Sequence, residues 1–293
     1  MTVGPQARIH RRFVDLDDGQ IHVRTAGNGQ SGTPLVMLHA SPGSSKQLEP
    51  LIGRLGMGRR VLAPDCPGNG DSEPLAAEVP QIDELADALL AAIDTLCPDE
   101  QPVDLYGSHT GARLACSIAL RFPARVRRIV LDGFGLYTTG ERDEILSVYA
   151  PEQAPDPLGR HLLWGWHFAR DQWIWFPWFD KRNDKRVSLD LPPPAFLHDL
   201  FVEIMKSLTT YHRSYRAAFR YDMSIAVPEL TQPTLICAQK TDMIHTALPR
   251  MAALLPGARS ALLPGTATEQ DADETAAAIA AFLDQEPAEG AAP

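Results

Sequence analysis

The stretch Gly107-Ser108-His109-Thr110-Gly111 decides the fold, because it joins an apolar run to a run with helical character. Residues 102–106 are typical of a buried strand, and residues 112–122 have the pattern of a helix packed on it. A pentapeptide with small residues at both ends predicts a sharp turn, since glycines let the strand and the helix pass closely. The turn lifts its central residue above the sheet. That residue is His109, and Ser108 is expected to point sideways.

Strand and helix patterns alternate on both sides of this turn. The first two strands form a hairpin, as the turn residues Asp17-Asp18-Gly19 indicate. The alternation that follows predicts an α/β fold, a parallel sheet with helices on both faces. The predicted strands cover residues 12–16, 20–25, 35–39, 60–63, 102–106, 126–132, 233–238 and 259–263. The predicted helices cover residues 46–55, 82–96, 112–122, 246–255 and 272–283.

The alternation breaks between residues 135 and 226, where prolines are frequent and all five tryptophans of the chain occur. An insertion between two halves of one sheet explains this break more economically than three separate domains. We therefore expect a core in two parts, residues 8–134 and 227–284, with residues 135–226 inserted between them. Residues 285–293 are rich in Pro, Ala, Gly and Glu, a composition typical of a disordered tail.

Charge and composition exclude several classes of function. The formal net charge is −10 and the basic residues are scattered, so we expect no nucleic-acid surface. No apolar run approaches the ~20 residues of a membrane span, and residues 1–13 lack the apolar region of a secretory signal. The four cysteines form no CxxC pair and indicate buried thiols in a reducing compartment. We expect a cytoplasmic protein, with a homodimer left open.

Four ordered motifs are similar to those of the α/β-hydrolase family. Residues 38–45 (LHASPGSS) resemble its HGxPGSS loop after the third strand, and residues 63–72 (APDCPGNGDS) resemble its PDxPGxGxS segment. Residues 107–111 take the place of its nucleophile elbow, and residues 233–236 followed by Asp242 resemble the strand and loop that present its catalytic acid. The resemblance implies a doubly wound, mostly parallel sheet of eight strands with a helical cap, for which the insertion is the candidate.

The catalytic set departs from the family pattern. Family members with a triad present nucleophile, acid and histidine in that chain order. Here the nucleophile position holds His109, the acid position keeps Asp242, and the position that normally carries the histidine holds Thr268, which stays a candidate secondary site residue. No histidine follows His245, so a Ser-His-Asp or Asp-His-Asp arrangement is excluded.

His109 is then the candidate general base or nucleophile. Asp242 is the expected partner that orients its ring, as the carboxylate does in a triad. The N-terminus of the following helix disfavours the imidazolium and the carboxylate favours it; if the two fields roughly balance, the ring is largely neutral near pH 7. Asp132, at the end of the sixth strand, is the alternative partner, or it is an ordinary turn residue.

The resemblance also implies an oxyanion hole made by the backbone N–H groups of Ser41 and Thr110. The Ser41 hydroxyl either faces the ligand or supports the turn that follows. His39 is expected to brace this loop by hydrogen bonds. A metal site made of His39, His109 and Asp242 fits by ligand type, but no metal-binding spacing supports it, so we expect neither a metal nor a cofactor.

The tryptophan-rich insertion is expected to line an apolar pocket for a small-molecule substrate. Trp164, His167 and Trp173 are the candidate pocket residues, although ordinary packing accounts for many of the tryptophans. The expected function is that of a hydrolase acting on a small apolar or aromatic carbonyl compound, namely an ester, a lactone or an activated C–C bond. A lyase or isomerase that works through an enolate and a non-catalytic ligand-binding protein are the alternatives.

Overall fold

One eight-stranded sheet organises the computed structural model, which describes residues 4–27, 32–97, 101–187 and 190–285. Its strands are β1 (His10–Leu16), β2 (Gly19–Ala26), β3 (Leu35–Leu38), β4 (Val61–Pro64), β5 (Val103–Ser108), β6 (Val126–Asp132), β7 (Thr234–Gln239) and β8 (Arg259–Leu263). Their order across the sheet is β1-β2-β4-β3-β5-β6-β7-β8. β2 is antiparallel to both of its neighbours, whereas the other neighbouring pairs are parallel. The predicted mostly parallel sheet of eight strands is confirmed.

Helices cover both faces of this sheet. They are α1 (Glu49–Leu55), α2 (Ile82–Leu96), α3 (Thr110–Arg121), α4 (Thr139–Val148), α5 (Arg160–Asp171), α6 (Pro194–Lys206), α7 (Tyr211–Arg220), α8 (Met223–Ala226), α9 (Leu248–Ala252) and α10 (Glu269–Leu283). One apolar cluster joins the sheet to α2 and α3, and a second cluster joins the opposite face to α1 and α10. This is the doubly wound arrangement that the alternation predicts.

The central strands are apolar along most of their length because both of their faces are covered. In β5, Leu105 belongs to the cluster with α2 and α3, whereas its neighbour Tyr106 belongs to the cluster with α1 and α10. Val36 and Met37 of β3 divide in the same way. Successive strand residues point to opposite faces, so a strand covered on both sides has no polar face. The polar residues that carry chemistry are therefore confined to the loops at the carboxyl ends of the strands.

Four of the five predicted helices differ in their bounds from the sequence prediction. α1 begins at Glu49 rather than at residue 46, after a turn of 3₁₀ helix, and α3 covers Thr110–Arg121 rather than residues 112–122. α10 begins at Glu269 rather than Ala272, because the Thr268 side chain caps it and accepts a hydrogen bond from the Asp271 N–H at 3.1 Å. α9 covers only Leu248–Ala252, and a turn of 3₁₀ helix precedes it. Residues 286–293, where a disordered tail is predicted, lie outside the described residues.

The predicted insertion, residues 135–226, contains helices α4 to α8, and its described residues (135–187 and 190–226) include no strand of the main sheet. Two aromatic clusters hold α4 to α7 together, one around Phe168 and Tyr211 and the other around Tyr149 and Phe219. The division of the chain into domains stays a prediction. Across the described residues, no helix combines the length and the apolar character needed to cross a membrane.

Candidate functional site

His109 occupies the turn between β5 and α3 in an unusual backbone conformation. Its φ is 51° and its ψ is −103°, and among the described residues it alone has a positive φ without being glycine. Its N–H donates to the carbonyl oxygens of Asp132 and Gly133, at 3.1 and 2.9 Å. Strained residues of this kind persist only where the surrounding structure holds them, and they cluster at functional sites. The turn therefore fixes His109 at the carboxyl edge of the sheet.

The glycines on either side of this turn have no room for a side chain. A Cβ on Gly107 would lie 2.2 Å from the carbonyl oxygen of Gly111. A Cβ on Gly111 would in turn lie 2.0 Å from the carbonyl oxygen of Leu38, on the neighbouring strand β3. Both positions must be glycine because α3 starts against the ends of β5 and β3. The sequence pattern that predicts the turn thus has a direct steric cause.

His109 contacts Asp242 across the carboxyl edge of the sheet. The Nε2 atom of His109 lies 2.8 Å from Oδ2 of Asp242, which follows β7. The other carboxylate oxygen accepts a hydrogen bond from the Ile244 N–H at 2.9 Å. Gly133 makes room for this pair, since a Cβ there would lie 2.5 Å from Asp242 Oδ2 and 3.4 Å from His109 Nε2. The imidazole ring is thereby held by a carboxylate that is itself held by the backbone.

The charge of each partner shifts the pKa of the other. Burial alone would lower the pKa of His109, but the charge of Asp242 and its hydrogen bond raise that pKa above its ordinary value. Burial alone would raise the pKa of Asp242, yet His109 and the Ile244 N–H hold that pKa below its ordinary value. The two fields at His109 therefore do not balance, because the effect of Asp242 on its pKa outweighs that of burial. Each partner stabilises the charged form of the other.

A cavity of about 720 Å³ opens above this pair. Ser41, Ser108, His109, Thr110 and Asp242 line its floor, and the His109 side chain is 38% exposed, which leaves it accessible to a ligand. Aromatic residues form much of its wall, namely Tyr137, Tyr149, Trp173, Phe176, Phe196, Tyr215 and Phe219. A cavity of this size holds a small organic molecule.

The comparison with protein-family models matches residues 35–278 to the model described as "Alpha/beta hydrolase family". The chain belongs to the alpha/beta hydrolase family. Among curated relatives, it is 34% identical over 144 residues to 2-hydroxy-6-oxononadienedioate/2-hydroxy-6-oxononatrienedioate hydrolase 2 of Pseudomonas putida, covering 46% of this chain and 49% of that one. It is 37% identical over 106 residues to 2-hydroxymuconate semialdehyde hydrolase of Pseudomonas sp. (strain CF600), covering 35% and 37%. The chain spans about half the length of the first curated relatives it matches, or less.

Solved structures share the fold of this alpha/beta hydrolase across nearly its whole length. A hydrolase from Pseudomonas aeruginosa PA01 superposes with a TM-score of 0.69 at 19% identity, covering 94% of this chain and 98% of that one. The enol-lactonase from Burkholderia xenovorans LB400 superposes with a TM-score of 0.67 at 19% identity, covering 94% and 100%. At this level of identity the likeness concerns the fold alone.

The structure gives the place beside His109 to Asp242 rather than to Asp132, the alternative partner. Oδ2 of Asp132 accepts hydrogen bonds from the Tyr106 hydroxyl at 2.5 Å and from Nε2 of Gln239 at 2.7 Å. Burial raises the pKa of Asp132 in spite of these hydrogen bonds. Asp132 is a buried strand-end residue whose carboxyl group ties β5 to β7, so neither of its predicted roles describes it fully.

The predicted oxyanion residues of this alpha/beta hydrolase both line the cavity, Ser41 from the loop after β3 and Thr110 from the start of α3. Thr110 begins α3, so its N–H has no helical acceptor. The Ser41 hydroxyl shares a hydrogen bond of 3.1 Å with the Ser214 hydroxyl on α7, an arrangement that neither sequence interpretation contains. His39 braces the loop, since Nδ1 lies 2.8 Å from the Ala40 carbonyl oxygen and Nε2 accepts from the Cys66 N–H at 2.8 Å.

Thr268, a candidate secondary site residue, does not belong to the site. Its side chain is exposed, caps α10 and donates to Oδ2 of Asp271 at 2.6 Å. The cavity wall contains its neighbours Thr266 and Glu269 instead. Thr268 is thus a helix-capping residue outside the cavity wall.

Trp173 is the one predicted pocket residue that lines the cavity. Trp164 stacks on Phe168 with ring centroids 5.0 Å apart and belongs to the interior of the insertion. His167 is exposed and lies with Nδ1 3.0 Å from an Nη atom of Arg170. Both predictions are wrong because residue type does not reveal which face of α5 is turned to the cavity.

Several cavity residues carry a signal that sequence reasoning missed. Tyr211, Tyr215 and Phe219 recur every four residues along α7, a spacing that predicts one aromatic helix face. Tyr215 and Phe219 line the cavity, whereas Tyr211 packs inside the insertion. This spacing therefore predicts that the three rings share one face of α7, but it does not predict that Tyr211 lies outside the cavity.

One group of possible metal ligands occurs in the described part of the chain. Ligand atoms of His22, Asp65 and Asp71 lie within 4.8 Å of one another. The Asp65 carboxylate, however, receives hydrogen bonds from Nδ1 of His22 at 2.9 Å, from the Ser45 N–H at 2.8 Å and from the Asp71 N–H at 3.0 Å. These contacts explain the cluster as a brace that ties β2 to the loops after β3 and β4.

Proposed function

We propose that this alpha/beta hydrolase cleaves a small carbonyl compound, with His109 as the general base and Asp242 as the residue that orients it. The observation that carries the proposal is the 2.8 Å contact between His109 Nε2 and Asp242 Oδ2 in the floor of an aromatic cavity. The bond to be cleaved belongs to an ester, a lactone or an activated C–C bond. The names of the curated relatives, hydrolases of 2-hydroxy-6-oxo dienedioates and of a muconate semialdehyde, favour the last of these.

The reaction follows from the two nitrogen atoms of the ring. Nε2–H donates to Asp242, which leaves Nδ1 as the acceptor. Nδ1 takes a proton from a water molecule whose oxygen attacks the substrate carbonyl, and the carbonyl electrons move to its oxygen. The N–H groups of Ser41 and Thr110 stabilise this oxyanion. When the oxyanion collapses, the leaving oxygen or carbon takes the proton back from Nδ1.

The raised pKa of His109 suits it to this role and limits it to one pH range. A ring stabilised as imidazolium by Asp242 is a stronger base than free imidazole. It accepts a proton only while it is neutral, so the rate rises as the pH passes upward through the raised pKa of His109.

The test is the His109→Ala variant, measured on a panel of aryl esters, lactones and vinylogous 1,5-diketones. We expect a loss of at least ~100-fold in kcat/KM, the range typical of removing a general base, with product analogues bound as before. His167→Ala is the matched control, because His167 is an exposed histidine outside the cavity wall. Turnover in H₂¹⁸O must place the label in the carboxylic acid product.

Each contrary result assigns another function. Full activity in His109→Ala would overturn the role of His109. Turnover without label in the product would assign a lyase or isomerase that works through an enolate. Binding of carbonyl compounds without turnover of any panel member would assign a non-catalytic ligand-binding protein.

A further inference from the structure

Nearly all ionic side chains of the cavity wall have a partner of opposite charge. The pairs are Lys46 with Asp199, Glu49 with Arg24, Arg54 with Glu269 and Asp273, His109 with Asp242, and Glu203 with Lys206. Within residues 4–27, 32–97, 101–187 and 190–285, Arg113 is the one charged residue of the wall with no such partner. The cavity thus contains an uncompensated positive charge.

Arg113 lies one helical turn after His109 on α3, and it is only 4% exposed. One Nη atom donates to the His109 carbonyl oxygen at 3.2 Å, and the other donates to the Gly135 carbonyl oxygen at 3.0 Å. The Nε atom is buried and has no hydrogen-bond partner. Two carbonyl groups thus hold the guanidinium in place and leave part of its donor capacity unused.

A guanidinium in this state is costly for the folded protein. Burial lowers the pKa of Arg113 from its ordinary value, and the nearby positive charge of Arg142 acts in the same direction. Buried charges in proteins are normally paired or coordinate an ion, because hydration no longer stabilises them. Bracing two carbonyl groups requires hydrogen-bond donors but not a full charge. The charge itself therefore needs a further explanation.

A second polar group adjoins the same point of the wall. A Cβ on Gly135 would lie 2.1 Å from the Tyr137 hydroxyl oxygen, and the carbonyl group of Gly135 is the one that Arg113 contacts. Tyr137 and Arg113 both line the cavity. A guanidinium with a neighbouring phenol offers donors for the two oxygens of one carboxylate.

We propose that Arg113, assisted by Tyr137, binds a carboxylate group of the ligand that enters this cavity. The inference rests on the proposed function in one respect only, that this ligand is the substrate. The substrate is then an oxo acid, whose carboxylate is held at Arg113 while its carbonyl carbon faces His109. An ester or ketone that lacks the anionic group would enter the same cavity but would lack this anchor.

Binding of a matched pair of ketones tests the proposal without any turnover. The probes are 6-oxo-6-phenylhexanoate and its neutral amide, 6-oxo-6-phenylhexanamide, titrated by calorimetry into the full-length protein and into its His109→Ala variant. We expect both proteins to bind the carboxylate at least about tenfold more tightly than the amide, since a hydrogen bond to a charged group has this magnitude. Failure of the proposed catalysis leaves this preference unchanged.

Variants assign the preference to Arg113. Arg113→Gln should lose this preference. Its affinity for the carboxylate probe should fall about tenfold or more, whereas its affinity for the amide probe should change by less than about twofold. Tyr137→Phe should reduce the preference in part. Arg54→Gln is the matched control, because Arg54 lines the same cavity but is already paired with Glu269 and Asp273. We expect that variant to keep the preference.

Three results would overturn the proposal. Equal affinity of the wild-type protein for the two probes would show that the cavity has no carboxylate-binding site. This result does not depend on the stability of any variant. A preference for the carboxylate that survives in Arg113→Gln would show that other residues bind it. A preference that disappears equally in Arg54→Gln would assign it to the general positive potential of the cavity rather than to Arg113.

Discussion

At the scale of single residues, His109 is the central residue of the turn between β5 and α3, and its Nε2 atom contacts Asp242 in the loop after β7. An imidazole reaches farther from the backbone than a hydroxymethyl group, so it spans the distance from the end of β5 to the loop after β7. Thr268 takes no part, because its hydroxyl group caps α10.

The Asp242→Asn variant should move the pH dependence of activity to lower pH. Burial lowers the pKa of His109 and the charge of Asp242 raises it, so loss of that charge leaves the pKa of His109 below its present raised value. The ascending limb of kcat/KM against pH reports this pKa in the free enzyme. Its midpoint should fall in Asp242→Asn, and the plateau should fall at least ~10-fold because the ring loses its orienting carboxylate.

The control for this shift is Asp199→Asn. Asp199 also lies in the cavity wall, but its carboxylate is paired with Lys46 at 3.2 Å. We expect its profile to keep the wild-type midpoint. A midpoint that stays the same in Asp242→Asn would show that another group, and not His109, governs the limb.

The chain order of motifs was sufficient to predict the contact between His109 and Asp242, because parallel strands bring their carboxyl-end loops to one edge. It was not sufficient for the pocket. Trp164 and Trp173 are the same residue type nine positions apart, yet only Trp173 lines the cavity. The direction of a helix face depends on how helices pack across the insertion, and such packing is not encoded in local pattern. A role for Arg113 could not be predicted, because the sequence does not show that its charged side chain is buried.

At the scale of elements, the local sequence predicts the succession of β5, the turn and α3. Hydrophobic periodicity gives the strand and the helix, and the glycine spacing gives the turn between them. The boundaries of α9 and α10 were less accurate, since the Thr268 cap and the 3₁₀ turn over His245–Ala247 add no hydrophobic signal. Capping depends on a single side chain, which a periodic pattern cannot register.

The Gly107→Ala variant should destabilise this unit. The added Cβ would lie 2.2 Å from the Gly111 carbonyl oxygen, which is backbone and cannot rotate away. We expect a loss of about 1–3 kcal/mol in the free energy of unfolding measured in urea, as for other overpacked sites. Gly140→Ala is the control, because no atom lies within 4 Å of its added Cβ and its helical position favours alanine. Equal stability of the two variants would contradict the steric account of the turn.

At the scale of the whole molecule, hydrogen bonds made by side chains tie the insertion to loops of the core. Oγ of buried Ser44 donates to Oε2 of Glu203 on α6 at 2.5 Å. On α7, the Ser214 hydroxyl accepts from Nδ2 of Asn69 at 2.8 Å, and just before that helix the Thr210 hydroxyl donates to the Gly68 carbonyl oxygen at 2.6 Å. Ser44, Gly68 and Asn69 belong to the two family-like loops. These loops therefore position α6 and α7, which contribute residues to the cavity wall, and one of them also contributes Ser41.

The Ser44→Ala variant tests whether this connection stabilises the folded molecule. It removes the donor from a carboxylate that is 4% exposed and leaves Glu203 with the Lys206 ammonium, at 3.2 Å from its other oxygen. We expect a loss of about 1–3 kcal/mol in the free energy of unfolding in urea, the cost of an unsatisfied buried group, and faster proteolysis within residues 135–226. Ser147→Ala is the control, since the Ser147 hydroxyl is exposed and bonds only the Glu144 carbonyl oxygen of its own helix. If Ser44→Ala and Ser147→Ala unfold at the same urea concentration, the hydrogen bond between Ser44 and Glu203 does not stabilise the folded molecule.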